Sequence, residues 1–365
     1  MRRHAGHILY GRELTIKLIN KNMLDFSEAE LSGLSIHYVG NKSNEEGIIA
    51  SQEEVRVDGN IADLLITYFT KPFKTHEFYN FSHEANLNFN EVYNYAKTIF
   101  NDPGALHLQS INVARHLYEH SNHPNIKSGE LYVAHFENCF LDGELMDVVG
   151  IFKSEQKETY LKVFPEGKSF AINREDGINI NKLDKGCLVF NDQADGGFRM
   201  LLVDNTNKED ARYWKDSFLN VKPCEDTFYH TTNYLQMCKR FSTEAFPEAD
   251  RIDQMTLVQE SAKFFKEEDL FEKASFEEKV LQEPEIIDAF ENYKESYKQQ
   301  HDIQIFDEFD INQEAVKNLK RVFKSVIKLD KNFHVYVHGN RNMIKKGYDE
   351  ESQLNFYQLF YKEET

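Results

Sequence analysis

The sequence predicts an α+β protein built from several regions, and three observations carry that reading. Apolar residues recur every three or four positions between 61 and 117 and again after Pro223, the period of amphipathic helices. Between 128 and 222, short alternating runs are separated by tight-turn pairs, which gives a mostly antiparallel sheet. The last fifty residues combine a basic helical stripe with an alternating run, read as a basic helix followed by a β-hairpin. At 365 residues the chain exceeds one typical domain. The expected division is a leader over 1–32, a mixed α/β region over 33–127 and an antiparallel β-rich region over 128–222. An acidic helical region over 223–311 and the basic helix with its hairpin over 312–365 complete it.

In chain order, Leu34-Ser35-Ile36-His37-Tyr38-Val39 alternates as a strand and runs into a polar turn ending at Gly47. A helix with Ile61, Leu64, Leu65, Tyr68 and Phe69 on one face follows, and Pro72 stops it. Phe78, Tyr79 and Phe81 mark a short strand. The next helix buries Val92, Tyr95, Ala96 and Ile99, and its successor buries Leu106, Val113, Ala114 and Leu117. Residues 131–136 are nearly all apolar, and Asp142-Gly143 is a strong hairpin turn before a strand at 148–152. Strands are expected at 159–164, 186–190 and 198–203, and a helix-like segment at 210–218 carries Trp214. Beyond Pro223, Leu235, Cys238 and Phe241 share one helical face, and Met255, Val258, Ala262 and Phe265 share another. Ile286, Phe290 and Tyr293 form the stripe of a third helix. Phe333, Val335 and Val337 alternate as a strand, with 354–361 as its expected partner.

Composition excludes several classes. Seven prolines and 17 glycines are too few for long disordered linkers. No apolar run has the length a transmembrane helix requires, so no membrane partner is expected. The first 22 residues carry Arg2, Arg3, Arg12, Lys17 and Lys21 against Glu13, yet lack the apolar core of a secretory signal. They read as a leader rather than a basic DNA-binding arm. Cys139, Cys187, Cys224 and Cys238 show no C-x-x-C pairing or zinc-ligand spacing, which suits free thiols in a reduced cytoplasmic protein. There is no phosphate loop, no G-x-G-x-x-G and no G-x-S-x-G elbow.

Charge is the most informative property. The chain carries a formal net charge of -18, which by itself opposes binding to an anionic polymer. The charges are polarised, however. Residues 267–310 hold fifteen carboxylates against four lysines, whereas residues 312–347 hold nine cations against Glu314 and Asp330. Charge acts over a Debye length of roughly 8 Å at physiological salt, so the local excess is what a ligand meets. Behind an N-cap at Asn312, Ala315, Val316, Leu319, Val322, Phe323 and Val326 define an inward helical face, with conversion to a strand expected near Val326–Leu329. Lys317, Lys320, Arg321, Lys324 and Lys328 define an outward one suited to phosphates. Arg341, Lys345 and Lys346 extend the footprint. The competing reading is a solvated face, or one docked on the chain's own acidic segment.

One string suggests chemistry. His116, Glu119 and His120 fit the inverted zincin pattern H-x-x-E-H, in which two histidines one helical turn apart hold zinc and the Glu acts as base. His123 would add a third ligand. The plainer reading is a helix whose histidines flank its apolar face, because so short a string arises often by chance.

Several stretches together resemble one known family. They are Ile36-His37-Tyr38-Val39-Gly40-Asn41-Lys42 with its Asn44-Glu45-Glu46-Gly47 turn, Glu130-Leu131-Tyr132-Val133 through Asp142-Gly143, and Asn179-Ile180-Asn181-Lys182-Leu183-Asp184-Lys185-Gly186. Tyr213-Trp214-Lys215-Asp216 and Phe323-Lys324-Ser325-Val326 through Val337-His338-Gly339-Asn340-Arg341 complete the set. The chain resembles the bacterial nucleoid-associated family NdpA/YejK, in the form carried by Bacteroidetes-type bacteria, from about residue 23 onward. The resemblance implies a cytoplasmic, nucleoid-located protein that binds double-stranded DNA, with no catalysis and no cofactor. The expected function is thus non-enzymatic DNA binding with limited sequence preference. The alternatives are a metal-dependent hydrolase or nuclease, and an acidic protein-interaction module. The oligomeric state is left open, a homodimer included.

Overall fold

In the computed structural model, the described residues are 24–74, 77–206, 213–247, 251–319, 325–330, 332–337 and 343–363. The chain forms two compact units, Met1–Pro223 and Cys224–Thr365. The first contains, in order, β1 (Glu30–Val39), β2 (Ile48–Ala50), α1 (Gly59–Thr70), β3 (Tyr79–Phe81), α2 (Glu91–Asn101), α3 (Leu106–His120), β4 (Gly129–Leu141) and β5 (Glu144–Ser154). After these come β6 (Glu158–Glu166), β7 (Ser169–Gly177), β8 (Lys185–Phe190), β9 (Met200–Asp204) and β10 (Val221–Pro223). Eight of the strands make one sheet in the order β10-β3-β9-β8-β5-β4-β1-β2, with every neighbouring pair antiparallel. Strands from both sides of residue 127 share it, His37 pairing with Leu131. The edge strands β2 and β10 have three residues each.

Strand alternation distributes the core over two faces. Leu131, Val133, Val149, Ile151, Cys187 and Val189 point to the side covered by α2 and α3. Tyr132, Phe136 and Phe152 point to the other, where Phe69 of α1 stacks on Phe152 with ring centroids 4.2 Å apart. The Asp142-Gly143 turn has positive φ at both residues, 56° and 85°, the two-residue form whose twist matches antiparallel strands. At Gly129 the β4 backbone comes so close to β5 that a Cβ would lie 1.9 Å from the Ser154 carbonyl oxygen. Only glycine fits there. Helix α2 begins at Asn90, whose side chain accepts from the Tyr93 amide and donates to the Leu219 carbonyl. Helix α1 is buried only in its last turn: Tyr68 and Phe69 pack inward, while Ile61 and Leu64 remain 46% and 43% exposed. Trp214 sits in a π-helical segment, Tyr213–Leu219, and packs with Phe218 under α3.

Two polar features interrupt this core. Between β1 and α3, the Ser51 amide donates to His37 Nδ1 (3.1 Å), so the opposite ring nitrogen carries the proton and donates to Ser110 Oγ (2.8 Å). Ser110 in turn donates to the His107 carbonyl. The second feature lies where β5 and β8 end. Lys153 and Lys185 face each other directly in register, and they are 0% and 1% exposed. Like charges so placed repel, and carboxylates neutralise them. Glu155 Oε1 lies 3.1 Å from the Lys153 ammonium, and the Asp204 carboxylate lies 3.0 Å from Lys185. Lys153 also donates to the Lys127 carbonyl, at 2.5 Å. Both ammoniums lie over the Tyr213 ring. Burial holds the Lys153 pKa below its ordinary value, against the opposing pull of Glu155. Asp184 closes the group by accepting the backbone N–H of Glu155 (2.7 Å) and Gln156 (3.0 Å). A cavity of about 320 Å³ opens beside it, lined in part by Lys185, Gln156, Asn205 and Thr206.

The second unit comprises α4 (Thr227–Glu244), α5 (Arg251–Glu267), β11 (Leu270–Glu272), α6 (Lys273–Phe276), α7 (Pro284–His301), β12 (Glu308–Asp310) and α8 (Gln313–Leu319). It ends in β13 (Ser325–Leu329), β14 (Phe333–Val337), β15 (Ile344–Asp349) and β16 (Leu354–Leu359). Aromatic rings fill its core: Tyr234 lies 4.1 Å from Phe271, which stacks on Phe309, and Phe241, Phe265, Phe276 and Phe290 surround them. This is how a chain of modest apolar content closes a helical core, since each ring buries a large area.

One expectation is met here and one is corrected. The basic helical stretch gives way to a strand near Val326–Leu329 as expected: the described part of the helix ends at Leu319, and 325–329 is a strand. The β-branched pair Val326-Ile327 suits that strand, with Ile327 buried. The strand at 333–337 pairs with β13, not with 354–361, which pairs with β15. Each hairpin thereby closes the shorter loop, the smaller entropic cost.

Unit 1 holds the only tryptophan, so its fluorescence follows that unit's unfolding. In urea titrations, Glu155→Gln should lower stability by about 3–5 kcal/mol, because one counter-charge is removed from two buried ammoniums. Adding Lys153→Met should restore most of the loss. Acid should act through His37, whose pKa burial and the neighbouring His107 push down from 6.5 to about 4. The unfolded chain takes up that proton near 6.5 and the folded one only near 4. Stability contributed by the neutral ring is therefore complete above 6.5 and is lost as pH falls towards 4. His37→Gln should flatten the urea midpoint across that window.

Candidate nucleic-acid interface

The basic stretch begins on α8, and the chain fixes that helix at its N-terminus. Asn312 Oδ1 accepts the amides of Glu314 (3.0 Å) and Ala315 (3.1 Å), making it the N-cap. The Asn312 amide itself donates to Thr231 Oγ1 on α4. Ala315, Val316 and Leu319 are buried, so the inward face lies where the apolar period placed it.

The candidate cations distribute unevenly. Lys317 projects from α8 with 58% of its side chain exposed, 2.6 Å from Glu314 one turn earlier. So exposed a pair holds a lysine weakly. Lys328 lies on β13 rather than on a helical stripe, and its side chain falls outside what the structure describes. Lys345 and Lys346 are exposed successive residues of β15, so they emerge on opposite faces of the β15–β16 hairpin. The Lys345 ammonium lies 5.5 Å from the Phe360 ring centroid. Lys320, Arg321, Lys324 and Arg341 lie outside the described residues, as do residues 1–23. Of the helical row read from the sequence, Lys317 lies on α8 and Lys328 on β13, while the footprint's extension, Lys345 and Lys346, lies on β15.

The acidic segment before it carries lysine partners of its own. Glu291 pairs with Lys273 (2.8 Å) and Lys294 (2.9 Å), Asp307 with Lys294 (3.0 Å), and Glu268 with Lys279 (2.6 Å). Lys294 is almost fully buried in this arrangement. These carboxylates brace the helical core of unit 2.

The inverted zincin string lies at the end of α3. His116 Nε2 is 3.1 Å from the Phe218 carbonyl oxygen, which accepts and therefore fixes the proton on that nitrogen. The His116 and His120 rings meet edge to face at 4.5 Å. Glu119 forms an ion pair with Lys42, and His123 Nδ1 accepts the Asn125 amide. Among the described residues, no three of His, Cys, Asp and Glu gather as metal ligands. Unit 1 also holds a set that sequence reading missed, the buried Lys153, Lys185 and Asp184 with the partly buried Glu155 and Asp204. Their signal in the sequence is ordinary, since charged residues at strand ends are usually solvated.

Among the described residues, no helix is long and apolar enough to cross a membrane. No curated protein matches the chain. Residues 35–354 match the family model described as nucleoid-associated protein YejK. That match spans most of both units, and the chain belongs to this family of nucleoid-associated proteins.

Proposed function

We propose that the protein binds double-stranded DNA, without catalysis and with limited sequence preference, through the basic stretch of its second unit. The observation that carries this reading is the concentration of nine cations within residues 312–347 of a chain whose net charge is -18. Membership of a nucleoid-associated family supports it. Lys317, Lys320, Arg321, Lys324 and Lys328 neutralise phosphates, and Arg341, Lys345 and Lys346 extend the footprint. Contacts of this kind position a protein on the backbone without reading bases. The acidic remainder limits the footprint to this stretch and suppresses binding elsewhere, since like charge repels the polymer. The place of action on this reading is the nucleoid.

Binding should weaken linearly in log–log salt titrations, with a slope of about -0.9 for each phosphate neutralised. Replacing Lys320, Arg321 and Lys324 together by Glu should lower affinity equally on unrelated duplexes and flatten that slope. Equal affinity of the variant and the parent chain would reject the surface. A second comparison separates the two hairpin faces. Lys345→Ala and Lys346→Ala, measured singly at fixed salt, should differ in effect, because one backbone cannot engage both sides of a two-stranded ribbon equally.

A further inference from the structure

Strands β6 and β7 form a two-stranded sheet of their own, inserted between the neighbouring main-sheet strands β5 and β8. Their two faces differ. On one, Tyr160 donates to Glu175 (2.8 Å) and its ring covers Gly177, where a Cβ would meet it at 2.9 Å; Lys162 lies 3.6 Å from Glu175. The other face carries three apolar or mixed rungs in register: Leu161 opposite Arg174, Val163 opposite Ile172, and Pro165 opposite Phe170. Leu161, Val163, Phe170 and Ile172 are 68%, 59%, 71% and 64% exposed. An isolated two-stranded hairpin is marginal in water unless its apolar face is covered. The chain nevertheless mounts it firmly. Asp184 binds the backbone on one root of the arm to the other, and Lys157 pairs with Glu130 (2.6 Å).

We propose that this arm is a self-association element, its apolar face stacking on the same face of a second copy of the chain about a two-fold axis. Three considerations favour that occupant. At usual side-chain areas, the exposed apolar surface comes to about 500 Å² per copy, and about 1,000 Å² for a pair reaches the floor of specific association. The arm's charges are mixed, with Lys162, Lys168 and Arg174 against Glu158, Glu166, Glu175 and Asp176. Net -1 favours neither a nucleic acid nor a strongly acidic or basic partner. The pattern is also self-complementary. In an antiparallel two-fold stack the central Val163–Ile172 rungs meet at the axis, and Arg174 near the root of one arm faces Phe170 near the tip of the other, a cation–π arrangement. An isologous contact of this kind closes at two copies. The inference is independent of the DNA-binding reading.

The test is independent of any ligand: analytical ultracentrifugation of the full chain across a concentration series, beside Val163→Glu/Ile172→Glu. The parent chain should dimerise, and the variant should show a dissociation constant at least about a hundredfold higher, since four carboxylates would meet in the contact. Its Trp214 fluorescence melt should match the parent's, because the arm lies outside the main sheet. A cysteine pair gives a second readout, the four native cysteines being buried. Oxidised Val163→Cys should form a covalent dimer, and Lys162→Cys, on the opposite face, should not. A parent chain that stays monomeric at every concentration overturns the proposal. So does a dimer that survives the double Glu variant, or equal crosslinking of the two cysteine variants.

Discussion

Unit 1 depends on the burial of β4 and β5 from both sides. With α2 and α3 over one face and α1 over the other, successive residues of these strands are nearly all apolar, His135 excepted, so the runs at 131–136 and 148–152 read as nearly continuous rather than alternating. A double-covered sheet leaves no solvent for charges in its middle. They are confined to the strand ends, where Lys153 and Lys185 are held by Glu155 and Asp204. That confinement also fixes where the chain can leave the sheet, and the β6–β7 arm departs immediately beyond the lysine pair.

Much of this was legible in the sequence. The Asp142-Gly143 turn, the apolar stripes of α2, α3, α4 and α7, the Pro72 stop and the Asn312 cap all act within a few residues, and each was read correctly. What escaped depends on distant residues. Lys153 and Lys185 look like ordinary surface lysines because the carboxylate and ring that enclose them, Asp204 and Tyr213, arrive later in the chain. The change from helical period to strand was anticipated near Val326, and 325–329 is a strand, but the spacing did not show where the helix stops. Val322, Phe323 and Val326 satisfy the helical period, yet β-branched and aromatic residues also suit strands, and periodicity alone does not decide. Pairing of the last four strands was set by loop closure, which no alternation pattern reveals.

The candidate DNA surface shows the same division. The inward residues of α8 were identified by spacing. The outward cations were read as a helical row with Arg341, Lys345 and Lys346 beyond it; among the described residues Lys317 lies on a helix, Lys328 on a strand, and Lys345 and Lys346 on a second hairpin. Such a surface presents charge from several directions, which suits contact with a phosphate lattice more than insertion of one element into a groove. The acidic helices beside it in sequence tie their carboxylates to Lys273, Lys279 and Lys294, so on the proposed reading global charge and local charge serve separate ends: one keeps the molecule dispersed, the other meets its ligand.

The main sheet stops at β2 and β10, each three residues long. So short a border offers an incoming strand only a few backbone groups to template on. The eight-stranded sheet has little capacity to grow into a fibre by adding strands from its neighbours, and its long, sticky central strands are shielded from one another by their position.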